Sequence, residues 1–135
     1  MTSEPDGRWS AALLDETGRA FGEILADDVE LDGSVVIQPI HGKHAVWTTL
    51  RAAADVYEHM EVFTEVVSGD RVYLEWTATA LGMRMEGVIV IMLDSNGDIA
   101  KLMVHHRPLA AVFAFSSEMA RRQASGPGAD HFYRA

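Results

Sequence analysis

The chain has 135 residues, no cysteine and a net charge of −9. That length suits one domain around a single core. The missing thiols exclude disulfides, thiolate metal sites and cysteine nucleophiles, and the acidity argues against nucleic acid and anionic membrane as partners. Nearly half the residues are hydrophobic, yet no run approaches the ~18–20 apolar residues of a membrane span. The polar opening lacks a signal-peptide pattern, so the expected location is cytoplasmic.

Residues 1–7 read as a flexible N-terminus. Trp9, Leu13, Ala20, Phe21 and Ile24 recur at helical spacing, which predicts a helix over about 8–25. Gly18 and Gly22 weaken that helix and suggest a break or close packing. Val29 to Ile37 is rich in β-formers and is bounded by Pro39 and Gly42. A second helix, about 43–57, carries Val46, Trp47, Leu50, Ala54 and Tyr57 on one side. Strands are expected at about 59–67, 71–81, 84–94 and 98–107. Pro108 suits the first turn of a terminal helix lined by Leu109, Val112, Phe113 and Met119. Residues 124–135 begin Ala124-Ser125-Gly126-Pro127-Gly128 and read as a flexible tail, which leaves 8–123 as the single domain.

The last hairpin can be registered from its turn. Asn96-Gly97 is a two-residue type I′ signal, which pairs Ser95 with Asp98 and fixes the ladder. One face then reads Leu93/Ala100, Ile91/Leu102, Ile89/Val104 and Gly87/His106. The other reads Met92/Lys101, Val90/Met103, Val88/His105 and Glu86/Arg107, ending in an opposite-charge pair. A one-residue slip would destroy both patterns. In the preceding strand Val72, Leu74, Trp76, Ala78 and Ala80 form one face, and a Gly82-Met83 loop sets them beside Ile89 and Ile91. A three-residue loop would set Glu75 there instead and make it the leading base candidate, with a pKa raised by burial.

The order helix, strand, helix, long sheet resembles the nuclear transport factor 2-like superfamily, in its SnoaL-like and ketosteroid-isomerase-like branch. The residues that carry the likeness are Ala26-Asp27-Asp28, Pro39-Ile40-His41-Gly42-Lys43, Gly69-Asp70-Arg71-Val72, Asp94-Ser95-Asn96-Gly97-Asp98-Ile99 and Arg107-Pro108-Leu109. The resemblance spans about 8–120. It implies an α+β cone, a curved antiparallel sheet wrapped around the N-terminal helices with an apolar pocket inside. Relatives of this branch often dimerise through the sheet. Ketosteroid isomerases use a carboxylate base, a tyrosine and a protonated aspartate. Matched at the His41-Gly42 turn, those positions fall on Gly33 (with Asp32 beside it), Trp9 and Ile89. Limonene epoxide hydrolases resemble the chain at Val72-Tyr73-Leu74-Glu75-Trp76. Their arginine and two aspartates fall on Trp76, Ala78 and Val104, and their tyrosine and asparagine on Asp32 and Ser34. The acid of SnoaL-type cyclases also falls on Val104. The resemblance therefore implies a scaffold whose family acids are replaced by apolar side chains.

His106, on the inner face opposite Gly87, and Asp32, near the pocket mouth, remain as the candidate catalytic pair. Asp32 could equally serve the turn before Gly33. The substrate-binding candidates are Trp9, Leu13, Trp47, Trp76, Ala78, Ile89, Ile91, Leu102 and Val104. Glu61 and Glu65 read as a solvated face. His105 and His106 point to opposite faces and form no metal pair, the 94–98 loop departs from a calcium loop, and no metal or cofactor is expected. The expected function is binding of a small apolar molecule. The alternative is acid–base catalysis on a hydrophobic substrate: isomerisation, dehydration, cyclisation or epoxide opening. A third possibility is a structural dimer with a filled core. Val88, Val90, Met92 and Met103 make an apolar strip on the outer sheet face, so a homodimer through that face is expected.

Overall fold

The computed structural model describes residues 2–3, 7–15, 17–124 and 127–134. In chain order the strands are β1 (Thr2–Ser3), β2 (Leu25–Gly33), β3 (Ile40–His41), β4 (His59–Ser68), β5 (Arg71–Ala80), β6 (Met83–Leu93) and β7 (Ile99–Arg107). The helices are α1 (Arg8–Leu13), α2 (Arg19–Glu23), α3 (Lys43–Val56) and α4 (Leu109–Arg122), followed by a 3-10 turn, Pro127–His131. Among the described residues the strands form one sheet in the order β1-β4-β5-β6-β7-β2-β3. Neighbours run antiparallel except β2 and β7, which are parallel. The architecture is the α+β cone expected from the sequence. Helix α3 packs on β2 and α4, and α4 packs on β6 and β7.

The N-terminal helix is two short helices rather than one. Asp15 ends the first and starts the second: its carboxylate accepts hydrogen bonds from the Thr17 N–H, the Thr17 hydroxyl and the Ala20 N–H. Gly18 takes a left-handed backbone at the joint. The first long strand begins four residues earlier than expected. Pro108 caps α4 from outside rather than sitting in its first turn. The buried face of α4 is Val112, Phe115, Ser116 and Met119, whereas Leu109 and Phe113 are exposed.

The expected register of β6 on β7 is present at Ile89–Val104, Gly87–His106 and Glu86–Arg107, and it holds for seven consecutive pairs. The turn itself differs. Asp94 N–H donates to the Asp98 carbonyl, and the Asp94 carboxylate accepts the Asn96 and Asp98 N–H groups, so the turn closed by Asp94 and Asp98 holds three residues rather than two. A bulge beside Met92 and Leu93 then restores the original phase, and Leu93 pairs with Ile99, not Ala100. Between β5 and β6 the loop is Leu81-Gly82, one residue earlier than expected. Leu74 consequently faces Ile89 and Val72 faces Ile91. The shift is by two residues, so the apolar face is kept and Glu75 stays exposed on the outside.

A bulge at Phe63 bends β4 and reverses its alternation. Met60 and Val62 pack inward before it; Glu65 and Val67 point inward after it. Glu65, expected on a solvated face, is therefore buried. Its Oε1 accepts the Ser10 N–H at 2.9 Å and the Ser10 hydroxyl at 2.6 Å, while Oε2 has no hydrogen-bond partner.

The two expected flexible ends also differ. Thr2 and Ser3 add to the edge of β4 opposite Ser68 and Val67, whereas residues 1 and 4–6 lie outside the described residues. Beyond α4, Phe132 is buried and pairs with Val36 in an isolated bridge. Residues 127–134 are thus part of the packed body, while 125–126 and 135 lie outside the described residues. The large aromatic ring at 132 buries more apolar area than a solvated tail would keep.

Candidate functional site

Between the sheet and the helices lies a partly open, mainly apolar cavity of about 130 Å³. Helix α3 supplies one wall through Trp47, Leu50, Ala53 and Tyr57, and the sheet supplies Leu31, Ile89, Val104 and His106. Phe115 and Met119 of α4 complete the interior, and Asp15, Gly18 and Arg51 lie where the two N-terminal helices meet it.

Six of the sequence-predicted residues line this space: His106, Asp32, Leu13, Trp47, Ile89 and Val104. The other five do not. Trp9, Trp76, Ala78, Ile91 and Leu102 are buried in the packed core. They share the inner face of the sheet or its helical cover, but neighbouring side chains fill the space in front of them.

His106 is reached through an aromatic cluster that the sequence did not reveal. The Tyr57 hydroxyl lies 2.5 Å from His106 Nε2. The two rings are parallel, with centroids 6.0 Å apart. The indole of Trp76 meets the imidazole edge-on at 4.9 Å, and Phe115 closes the other side at 4.8 Å. The Ser34 hydroxyl fixes the backbone by accepting the His106 N–H at 2.7 Å. In the sequence Tyr57 is one more residue of the apolar face of its helix. The available signal was its phenolic oxygen, which needs a partner when the ring is turned inward.

The absence of a side chain at Gly87, opposite His106, makes room for Trp76. A Cβ there would lie 2.7 Å from Cζ2 of Trp76 and would collide with the His105 carbonyl. The space is occupied by the indole rather than left open to a ligand.

Burial sets the electrostatics. It pulls the His106 pKa down from 6.5 to about 4, helped by the neighbouring charge of His105. Burial also raises the Tyr57 pKa above its ordinary value. Both groups are neutral at pH 7. His106 Nδ1 has no hydrogen-bond partner. If Nε2 carries the proton and donates to Tyr57, the Tyr57 hydroxyl is released to donate elsewhere. If Tyr57 donates to Nε2, the imidazole N–H is stranded at Nδ1. Each arrangement leaves one donor without a partner among the described residues: the Tyr57 hydroxyl in the first, the Nδ1–H in the second.

Asp32 lines the same cavity, and its Oδ1 accepts the Gly33 N–H at 2.8 Å. No hydrogen bond joins Asp32 to His106 among the described residues. Gly33 has φ 148° and packs so closely on β7 that any Cβ would collide with the Val104 carbonyl. A side-chain base has no room at that position. Among the described residues no cluster of three His, Asp or Glu could hold a metal ion, and no helix is long and apolar enough to cross a membrane.

A curved sheet closed by helices over one interior cavity places this molecule in the nuclear transport factor 2-like class of α+β cones. The chain belongs to the SnoaL-like domain family, whose model matches residues 7–102. That match ends before Val104 and His106. Among solved structures, a steroid delta-isomerase from Pseudomonas aeruginosa is 25% identical, with a TM-score of 0.80 over 88% of each chain. A bacterial protein with a cystatin-like fold from Silicibacter pomeroyi is 23% identical, with a TM-score of 0.78 over 88% of this chain and 83% of that one. A de novo designed protein with a curved β-sheet is 17% identical, with a TM-score of 0.62 over 83% and 97%. No curated protein matches the sequence.

Proposed function

We propose that the protein binds a small, neutral, apolar molecule about one ring in size. The observation that carries this reading is the cavity itself: apolar walls around an uncharged pair, the buried His106 and the partly buried Tyr57. Its volume is comparable to the roughly 150 Å³ of an engineered apolar cavity that takes up benzene. Tyr57 supplies a hydroxyl for a carbonyl or ether oxygen of the ligand. A charged ligand is disfavoured because neutral partners do not offset the cost of burying a charge. A ring that buries roughly 150–250 Å² gains about 4–6 kcal/mol at ~25 cal/mol per Å². This corresponds to dissociation constants on the order of a millimolar down to tens of micromolar.

The reading is tested by native mass spectrometry of freshly purified protein and by NMR titration with phenol and cyclohexanone. Shifts confined to Tyr57, His106, Ile89 and Val104 are expected. Titration to the solubility limit with no shift at these residues would sink it.

The second reading, acid–base catalysis, draws on Asp32 and His106 lying on one cavity and on the steroid delta-isomerase among the similar structures. Against it, a histidine protonating at about pH 4 is a weak base near neutrality, and Gly33 leaves no room for a base beside Asp32. We therefore expect no steroid isomerase and no limonene epoxide hydrolase activity. Proton exchange of a cyclic ketone that disappears in both Asp32→Asn and His106→Ala would favour the enzyme instead.

A further inference from the structure

The lining of the cavity divides by exposure. Asp15, Gly18, Arg51 and Ala54 line it and are themselves partly or fully exposed, so the cavity meets solvent beside them. Val35, Val36, Phe115, Met119 and Phe132 line it too, and all five are buried. Of these, Phe132 alone comes from beyond the last helix of the cone. It follows the 3-10 turn Pro127–His131, in a segment laid over the end of β2 and the face of α4.

The fastenings of this segment are specific. The Ile37 N–H donates to the His131 carbonyl at 2.7 Å, next to the Val36–Phe132 bridge. The Tyr133 N–H donates to Ser116 Oγ at 2.7 Å, and that hydroxyl donates to the Val35 carbonyl at 2.5 Å. Ser116 is fully buried in the apolar face of α4. A serine there has no packing advantage, and its hydrogen bonds join the terminal segment to the chain beyond β2. On the outside, Tyr133 meets Phe113 edge-on at 5.6 Å.

We infer that residues 127–134 form a stopper that sets the length of the ligand, with Phe132 as the specificity-determining side chain. This rests on the ligand-binding reading above. With the ring of Phe132 in place the cavity holds one ring. Without it, the space of a phenyl group joins the cavity and two fused rings fit. Among the described residues Phe132 makes no ring contact with Tyr57 or His106, so the change should alter size selection without altering the hydrogen-bonding end.

The test compares phenol and 2-naphthol binding, by NMR titration, in the wild type, Phe132→Ala and Phe113→Ala. Phe132→Ala should raise the preference for 2-naphthol over phenol at least tenfold. Phe113→Ala, which loosens the same segment from outside, should leave that preference unchanged. An unchanged preference in a folded Phe132→Ala protein overturns the inference, as does an equal change in Phe113→Ala. If Phe132→Ala does not fold, Phe132→Leu should shift the preference in the same direction, and no shift counts against the stopper. Failure of every protein to bind either probe removes the ligand-binding reading but still leaves the stopper decidable in xenon-pressurised crystals of the variant. Xenon at the vacated ring position, continuous with the cavity, supports it; a collapsed site overturns it.

Discussion

Burial holds the His106 imidazole neutral, with its pKa pulled from 6.5 to about 4, and this ties the stability of the fold to pH. The unfolded chain takes up a proton at 6.5 that the folded chain refuses until about 4. The contribution is complete above pH 6.5 and is lost as pH falls towards 4. Its size is about 3 kcal/mol at 1.36 kcal/mol per pKa unit. Glu118, held near 2 by its hydrogen bonds to Arg121 and Arg122, loses its stabilising effect only below its ordinary 4.5, so the two groups separate on the pH axis. Thermal denaturation between pH 8 and 4.5 should show a marked loss of stability in the wild type and a much flatter profile in His106→Gln. Equal profiles would mean that the imidazole does not titrate as its burial requires. The inward direction of His106 was legible in sequence because strand residues alternate and the hairpin register fixed the phase. Tyr57, its partner, was not, since a tyrosine on an apolar helix face looks the same whether it fills a core or faces a cavity.

At the scale of elements, turns were less legible than faces. The type I′ signal at Asn96-Gly97 missed the capping power of Asp94, whose carboxylate takes two backbone N–H groups and lengthens the loop by one residue. The bulge beside Leu93 absorbs that residue, which is why the pairings nearer His106 came out right. Nothing comparable protected β4, where the bulge at Phe63 has no signature in the alternation and carries Glu65 inside. The β5–β6 turn offers a test. Leu81 has φ 55° and is followed by Gly82 at φ 73°, the conformation of a two-residue hairpin loop in which leucine is unfavourable and asparagine common. Leu81 is 43% exposed, so little burial is lost on replacing it. Leu81→Asn should stabilise the protein by roughly 0.5–1 kcal/mol, a gain of a few degrees in Tm. A lower Tm would show that the leucine side chain contributes more on that surface than the strained backbone costs.

For the molecule as a whole, the outer sheet face bears on assembly. Val88, Met92 and Met103 are half-buried there and Val90 is buried. We propose that a second copy covers this strip about a two-fold axis, since an isologous contact lets one apolar patch serve both partners. Sedimentation velocity at micromolar concentration should give a dimer, and Met103→Glu should give a folded species of about 15 kDa, because it places a charge within the apolar strip that the second copy would cover. A wild-type monomer would end the proposal. The site was half legible at this scale. The inner face was read correctly, but which of its residues front a void depends on how far the helices sit from the sheet, and that distance is not written in any periodicity.

The parallel pairing of β2 with β7 has a kinetic side. Asp32 and Gly33 meet Met103 and Val104, partners separated by about seventy positions in the chain. The meander β4 to β7 can form through short loops, whereas β2 must wait for the last strand before its inner edge is covered. Contacts that close such long loops carry the greatest entropic cost and form late. As the chain leaves the ribosome, β2 therefore emerges early and stays an open edge until residue 107 has followed it. That interval is when the protein is most exposed to pairing with another chain, and the cavity beside Asp32 comes into being only when it ends.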